Sequence, residues 1–189
     1  MVISGPSGVG KSCIRQEVLR RTGALWSVSA TTRSPRPGEV DGKDYRFVTR
    51  ERFEQMIAQD ELLEWADVFG NYYGTPIEPV WQAIKSGQTM LMEIDVQGGA
   101  QVYAKLPGET FILILPPSMD ELRRRLAGRG TEPPEVIDRR FAKAQQEILA
   151  AQACGAYTYR IVNDDLERAI QQVIAIMNTP RPGQAAAGA

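Results

Sequence analysis

At 189 residues with 43% hydrophobic residues, the chain is long enough to bury one compact core and too short for several large domains. Its formal net charge of −1 argues against a sequence-blind nucleic-acid binder that relies on a broadly basic surface. Histidine is absent, which excludes serine–histidine triads, histidine general bases and histidine-ligated zinc, so chemistry must run on carboxylates, lysine, arginine, hydroxyls or a bound metal.

In chain order the pattern is of short apolar strands alternating with amphipathic helices, as in a parallel sheet covered on both faces. Strands are predicted over residues 1–4, 26–30, 89–94, 110–115 and 157–162. Helices are predicted over 76–86 and 97–106, with a longer pair between 118 and 153. Ser118 and Glu121 form a capping box ahead of Leu122 and Leu126, and Gly87, Gly108 and Gly128 read as helix stops. Two intervals break the alternation. Residues 31–75 hold a turn-rich loop, a short strand at 45–48, a helix from Thr49 and a hairpin around Gly70–Asn71, which together predict a small inserted subdomain. "GRGTEPPE", residues 128–135, lies between arginine-rich helical stretches and predicts a hinged lid. No apolar run reaches the roughly 20 residues of a membrane span and no leader pattern opens the chain, so a soluble, cytoplasmic protein is expected. The first strand starts at Met1 itself, which leaves open whether residues precede it. Cys13 and Cys154 lie too far apart to suggest a disulfide framework or a zinc site.

"GPSGVGKS", residues 5–12, fits GxxxxGK[ST] between an apolar strand and a helix with Ile14, Val18 and Leu19 on one face. The backbone N–H groups of such a loop (Gly5, Ser7, Gly8, Val9, Gly10, and on to Cys13) point at phosphate oxygens, aided by the helix dipole. Lys11 would neutralise the β and γ phosphates of ATP and Ser12 would ligate Mg²⁺. Arginine outnumbers lysine 17 to 5, which suits bidentate phosphate recognition. "TTRSPRPGEVDGKDYRF" carries Arg33, Arg36 and Tyr45, able to clamp a second phosphate; a solvated basic loop is the alternative reading.

"ISGPSGVGKS", "SVSATTRSPRPGEVDGKDYRFV", "EWADVFGNYYGTP", "EIDVQG", "GRGTE" and "IVNDD" follow one another in an order that resembles the guanylate kinase family, and they cover most of residues 2–165. The resemblance implies an α/β P-loop NTPase fold: three layers on a five-stranded parallel sheet, with an inserted mixed α/β GMP-binding subdomain and a helical lid. Its boundaries would be a single domain over 1–178, with core 1–28, 76–121 and 146–178, GMP-binding subdomain 29–75 and lid 122–145, followed by a disordered tail at 179–189. The implied activity is Mg²⁺-dependent transfer of the γ-phosphoryl group of ATP to GMP, in purine nucleotide metabolism. ATP and GMP are the implied partners, with no nucleic acid, no membrane and no obligatory protein partner; a homo-oligomer stays open.

The resemblance assigns Arg33, Arg36, Tyr45 and Tyr73 to the GMP phosphate, and Ser29, Glu64, Thr75 and Asp95 to the guanine. The chemistry agrees, because guanine offers N1–H and N2–H₂ along one edge to a carboxylate such as Glu64, whereas adenine turns a lone pair toward it. Buried hydrogen bonds of that kind reject the wrong base by roughly 10⁴ or more. Thr75 would donate to O6. "MLMEIDVQGG" ends a buried strand, and period-2 alternation places Glu93 and Asp95 on one face, either of them reaching Mg²⁺ through water. Arg129 and Arg140 match positions that reach the ATP phosphates when the lid closes, so the implied catalytic set is Lys11, Arg36, Arg129 and Arg140. Asn163 matches a position near the adenine, with a turn or helix-cap task as the alternative. Two rivals remain: a non-catalytic guanylate-kinase-like module that binds phosphorylated partners, and a kinase for another monophosphate. Lys11, Ser12 and the paired carboxylates argue against the first, and Ser29 with "EW…NYYGT" argues against the second.

Overall fold

Short, fully buried apolar runs become strands, and the stretches between them, apolar every third or fourth residue, become helices. The computed structural model describes residues 1–68, 70–128 and 133–179. Its elements run β1 (Val2–Ser4), α1 (Lys11–Thr22), β2 (Leu25–Trp26), β3 (Ala30–Thr31), β4 (Arg46–Phe47), α2 (Arg50–Ala58), β5 (Leu62–Val68) and β6 (Asn71–Pro76). They continue with α3 (Ile77–Lys85), β7 (Met90–Glu93), α4 (Val96–Lys105), β8 (Phe111–Leu115), α5 (Met119–Ala127), α6 (Pro134–Ala153), β9 (Tyr159–Val162) and α7 (Leu166–Met177). The five-stranded sheet has the order β2-β7-β1-β8-β9. The chain divides into two compact units, Met1–Gly23 with the residues from Leu91 on, and Ala24–Met90. The second extends beyond the predicted insertion of 29–75 and takes in α3. The predicted tail falls, from residue 180, outside the described residues, as do residues 129–132 of the predicted lid.

In the first unit β1 lies parallel to β7 and β8, and β8 parallel to β9. Strands buried on both faces need helices above and below, and these come from the segments linking them. Ile3, Ile112 and Ile114 pack with Ile14 and Val18 of α1 and Ile170 and Val173 of α7 in one cluster. Each such side chain contributes about 1.5–3 kcal/mol of burial. Helix α7 was not separately predicted, although Asp165 caps it by accepting from Arg168 N–H and its Ala169, Ile170 and Val173 recur at helical spacing. Arg21 and Glu167 join α1 to α7 by a bidentate pair at 2.5 and 2.7 Å. Ser118 caps α5 by accepting from Glu121 N–H, as the capping box predicts. Among the described residues, no helix is long and apolar enough to cross a membrane.

The second unit holds a four-stranded sheet in the order β4-β3-β6-β5, with β3–β4 parallel and β3–β6 and β5–β6 antiparallel. The strand predicted over 26–30 is two strands instead, β2 and β3, which belong to different sheets. Buried Ser27 lies in the irregular stretch between them. The predicted hairpin stands, with Val68 opposite Asn71. Helix α2, capped by Thr49 accepting from Arg52 N–H, lays Phe53 and Met56 on Ala30 and Leu62. It ends with Asp60 at φ 53°, where Asp60 and Glu61 N–H return to Ile57 and Met56 carbonyls in a Schellman arrangement.

Candidate functional site

Strand β1 delivers the chain into a loop that the α1 N-terminus closes, and glycines there hold conformations that other residues resist. Gly8 and Gly10 have φ of 86° and 98°; a Cβ would lie 2.8 Å from Leu126 Cδ2 at the first and 2.4 Å from Asn163 Nδ2 at the second. The Lys11 ammonium curls back to donate to the Gly5 and Pro6 carbonyls at 2.6 and 3.0 Å. Val9 is fully buried and anchors the loop in the core, while Cys13 stands exposed on α1. Asn163, 5% exposed, donates to the Val9 carbonyl at 2.8 Å, so its amide nitrogen holds the loop from below. That contact fits the bracing task better than adenine recognition. Arg140 donates to Ser7 Oγ at 2.5 Å and thus reaches the loop from α6. Arg129 lies outside the described residues.

The two carboxylates expected on one face part company, because β7 ends at Glu93 and the alternation stops with it. Asp95 is the N-cap of α4 and accepts from Gly98 N–H at 2.8 Å, which gives one of its oxygens to the helix. Glu93 Oε1 accepts from Ser12 Oγ at 2.9 Å. Its Oε2 is buried with no hydrogen-bond partner, although Arg15 Nη1 stands 3.3 Å away as an ion pair. Gly99 lies against the Tyr157 hydroxyl, where a Cβ would come within 2.2 Å, so a glycine is required there for packing. Burial pushes the Tyr157 hydroxyl up to about 12. Burial also raises the Glu147 carboxyl, against the pull of Lys143 at 3.7 Å and of Lys11. Arg123 pairs with Asp138, and Arg124 and Arg125 both pair with Glu121, so these arginines serve as balanced helix charges.

In the second unit a β-bulge between Leu62 and Glu64 breaks the alternation of β5, so that Leu62, Leu63 and Glu64 are buried in succession. The reading of Glu64 as an exposed charge between Leu63 and Trp65 fails for that reason. Glu64 is 6% exposed and lies opposite Thr75, which is fully buried and donates from Oγ1 to Glu64 Oε1 at 2.6 Å. Nearby residues of the same unit form a second group. Arg33 Nε donates to the Tyr73 hydroxyl at 3.2 Å, its guanidinium carbon stands 5.4 Å from the Tyr45 ring centroid, and the two tyrosine rings meet edge to face at 5.9 Å. Arg36 is exposed, and Ser29 uses its carbonyl to accept from Arg46 N–H. The sequence reading missed Glu39, which takes the Arg33 fork at 2.9 and 2.9 Å. Its signal was present, because Glu39 is the one carboxylate among residues 31–40. Arg15 was missed as well, although its place four residues after Lys11 puts both on one helix face.

A glycine loop closed over its own lysine at the carboxyl ends of a parallel sheet defines an α/β phosphate-binding-loop protein. A family model described as guanylate kinase matches residues 1–179. Guanylate kinase of Carboxydothermus hydrogenoformans is 48% identical over 182 residues, 96% of this chain and 88% of that protein. Guanylate kinase of Gloeobacter violaceus is 48% identical over all 189 residues and 91% of its own length. The crystal structure of guanylate kinase from Anaplasma phagocytophilum superposes with a TM-score of 0.75 at 37% identity, covering 93% of this chain and 82% of that one. The chain belongs to the guanylate kinase family.

Proposed function

We propose that the chain transfers the γ-phosphoryl group of ATP to GMP, giving ADP and GDP. The observation that carries this reading is the buried Glu64–Thr75 pair, in a chain whose other unit holds a phosphate loop. A carboxylate desolvated to this degree needs donors, and the guanine N1–H and N2–H₂ supply two. Thr75 has one hydroxyl hydrogen, now given to Glu64. Donation to guanine O6 would require that hydrogen to turn away, so Thr75 either orients Glu64 or reads O6 at any instant.

On the ATP side, the loop N–H groups and the α1 N-terminus would receive the phosphates, and Lys11 would exchange its carbonyl partners for β- and γ-phosphate oxygens. Arg140, already at Ser7, would meet the charge that spreads over the transferred phosphoryl. Phosphoryl transfer asks little covalent work of a protein, which is consistent with a chain that has no histidine.

The donor set suits Mg²⁺, a hard cation that takes oxygen ligands and keeps several waters. Ser12 Oγ and the orphaned Glu93 Oε2 are such oxygens, with Glu93 better placed than the helix-capping Asp95 to hold a metal-bound water. When bound, the ion would neutralise charge on the β- and γ-phosphate oxygens. The reading places the enzyme in the cytoplasm, with ATP and GMP as its partners.

Coupled ADP production with ATP·Mg²⁺ and each of GMP, AMP, CMP and UMP at matched concentrations tests the proposal. Turnover with GMP alone is expected; equal turnover with AMP would remove the guanine-edge role of Glu64.

A further inference from the structure

Arg33 has five N–H donors, and in the second unit most are already committed. Nη1 donates to the Ser34 carbonyl at 2.7 Å and to Glu39 Oε2 at 2.9 Å, Nη2 donates to Glu39 Oε1 at 2.9 Å, and Nε donates to the Tyr73 hydroxyl at 3.2 Å. One N–H of Nη2 is left over by these bonds. Glu39 Oε2 also accepts the backbone N–H of Arg36 at 2.7 Å. A single carboxylate therefore joins the guanidinium of one clamp arginine to the main chain of the other.

We infer that Glu39 is a positioning residue for phosphate recognition, holding Arg33 and the base of Arg36 in the arrangement that receives the phosphate of GMP. The inference rests on the reading of this unit as the GMP side. Both partners of the ion pair are largely shielded, at 14% and 19% side-chain exposure, so the fork is held in place more firmly than a solvated pair would be. Arg33 holds the Glu39 carboxyl below its usual range, with help from the Arg36 N–H, so the carboxylate stays charged at neutral pH. A phosphate competing for the Arg33 fork would have to break the Arg36 N–H bond as well as the two from Arg33. It is better served by the remaining Nη2–H, the tyrosine hydroxyls and Arg36. An arginine released from Glu39 would be free to swing on its long side chain, and the 33–39 loop would lose the tie that sets where Arg36 leaves the main chain.

Calorimetric titration of the full chain with GMP and with guanosine, paired with steady-state kinetics, tests this on wild type, Glu39→Ala and Glu39→Gln. Glu39→Ala is expected to lose about 10- to 100-fold in GMP affinity, the worth of one or two charge-assisted hydrogen bonds, and to keep guanosine affinity and the KM for ATP within about twofold. Glu39→Gln should recover part of the loss, because its amide oxygen still accepts from Arg33. Tighter GMP binding by Glu39→Ala would show that the carboxylate competes with phosphate, and would overturn the inference. Equal losses for GMP and guanosine would overturn it too, since they would mark a general structural effect. If Glu39→Ala does not fold, Glu39→Gln, which keeps the bulk of the side chain, gives the same discrimination between GMP and guanosine. A wild-type chain that fails to bind GMP removes the underlying reading, whereas wild-type binding matched by both variants removes only the part assigned to Glu39.

Discussion

The phosphate loop of the first unit and the arginine–tyrosine group of the second both receive a phosphate in this reading, but they are made of different material. The loop is main chain: eight consecutive residues whose φ values and N–H directions are set by glycine and by burial of Val9. The second group is made of side chains from residues 33, 39, 45 and 73, which meet only because β3, β4 and β6 share a sheet. Their supports differ in size as well. The loop rests on a cluster that runs through β1, β8, α1 and α7, whereas the second unit's buried cluster is Ala30, Phe53, Met56 and Leu62. A site made of main chain should therefore tolerate loss of distant packing and fail on local chemistry, while a site made of side chains should be exposed to both.

The largest effect expected from this contrast is local. Lys11→Ala should lower turnover by at least about 10³-fold with the melting temperature little changed, because the charge meets developing phosphoryl charge and carries little of the packing. Near-normal kcat in the coupled assay would take the loop off the ATP side. Next in size is Phe53→Ala, which empties a fully buried site and should cost about 3–5 kcal/mol. Amide exchange should rise across Ala24–Met90 while β1 and β8 keep their protection, and a uniform rise through both units would break the contrast. Glu64→Ala should raise the KM for GMP about 100-fold and leave that for ATP within about twofold, measured by varying each substrate in turn. Equal changes in both values would show that Glu64 supports the fold and does not read the base.

The smallest effect concerns the first unit's surface. Arg21 holds the Glu167 carboxyl at about 2, below its ordinary 4.5. A depressed carboxyl stabilises the folded chain at pH above its unfolded value, and that contribution fades as pH falls through the folded one. Glu167→Gln should thus melt slightly below wild type above about pH 4.5 and match it near pH 2. The pair is exposed, so salt should shrink the difference. A gap that persists at pH 2 would assign the loss to packing between α1 and α7.

What could be read directly was whatever is local in the chain. GPSGVGKS carries its own geometry, since the steric freedom of glycine and the reach of a lysine depend on neighbours a few residues away. The alternation of buried strands with amphipathic helices announced the parallel sheet, and Ser118 announced its own cap. Where a reading depended on regularity continuing, it failed at the break. Strand alternation does not survive the bulge before Glu64, nor the end of β7 between Glu93 and Asp95, so one carboxylate went into the interior and two that were paired on paper took separate tasks. The residues from 26 to 30 looked like one strand because nothing in their composition marks a change of sheet.

The sequence by itself determined the phosphate loop, the α/β plan and the absence of histidine chemistry, because these follow from spacing within a turn or two of chain. Only the tertiary structure decided that Asn163 braces the loop at Val9, that Ser12 meets Glu93, that Thr75 holds Glu64 and that Glu39 occupies the Arg33 fork. Each of those contacts joins residues whose separation along the chain says nothing of their distance in space, and a hydrogen bond exists only at about 3 Å.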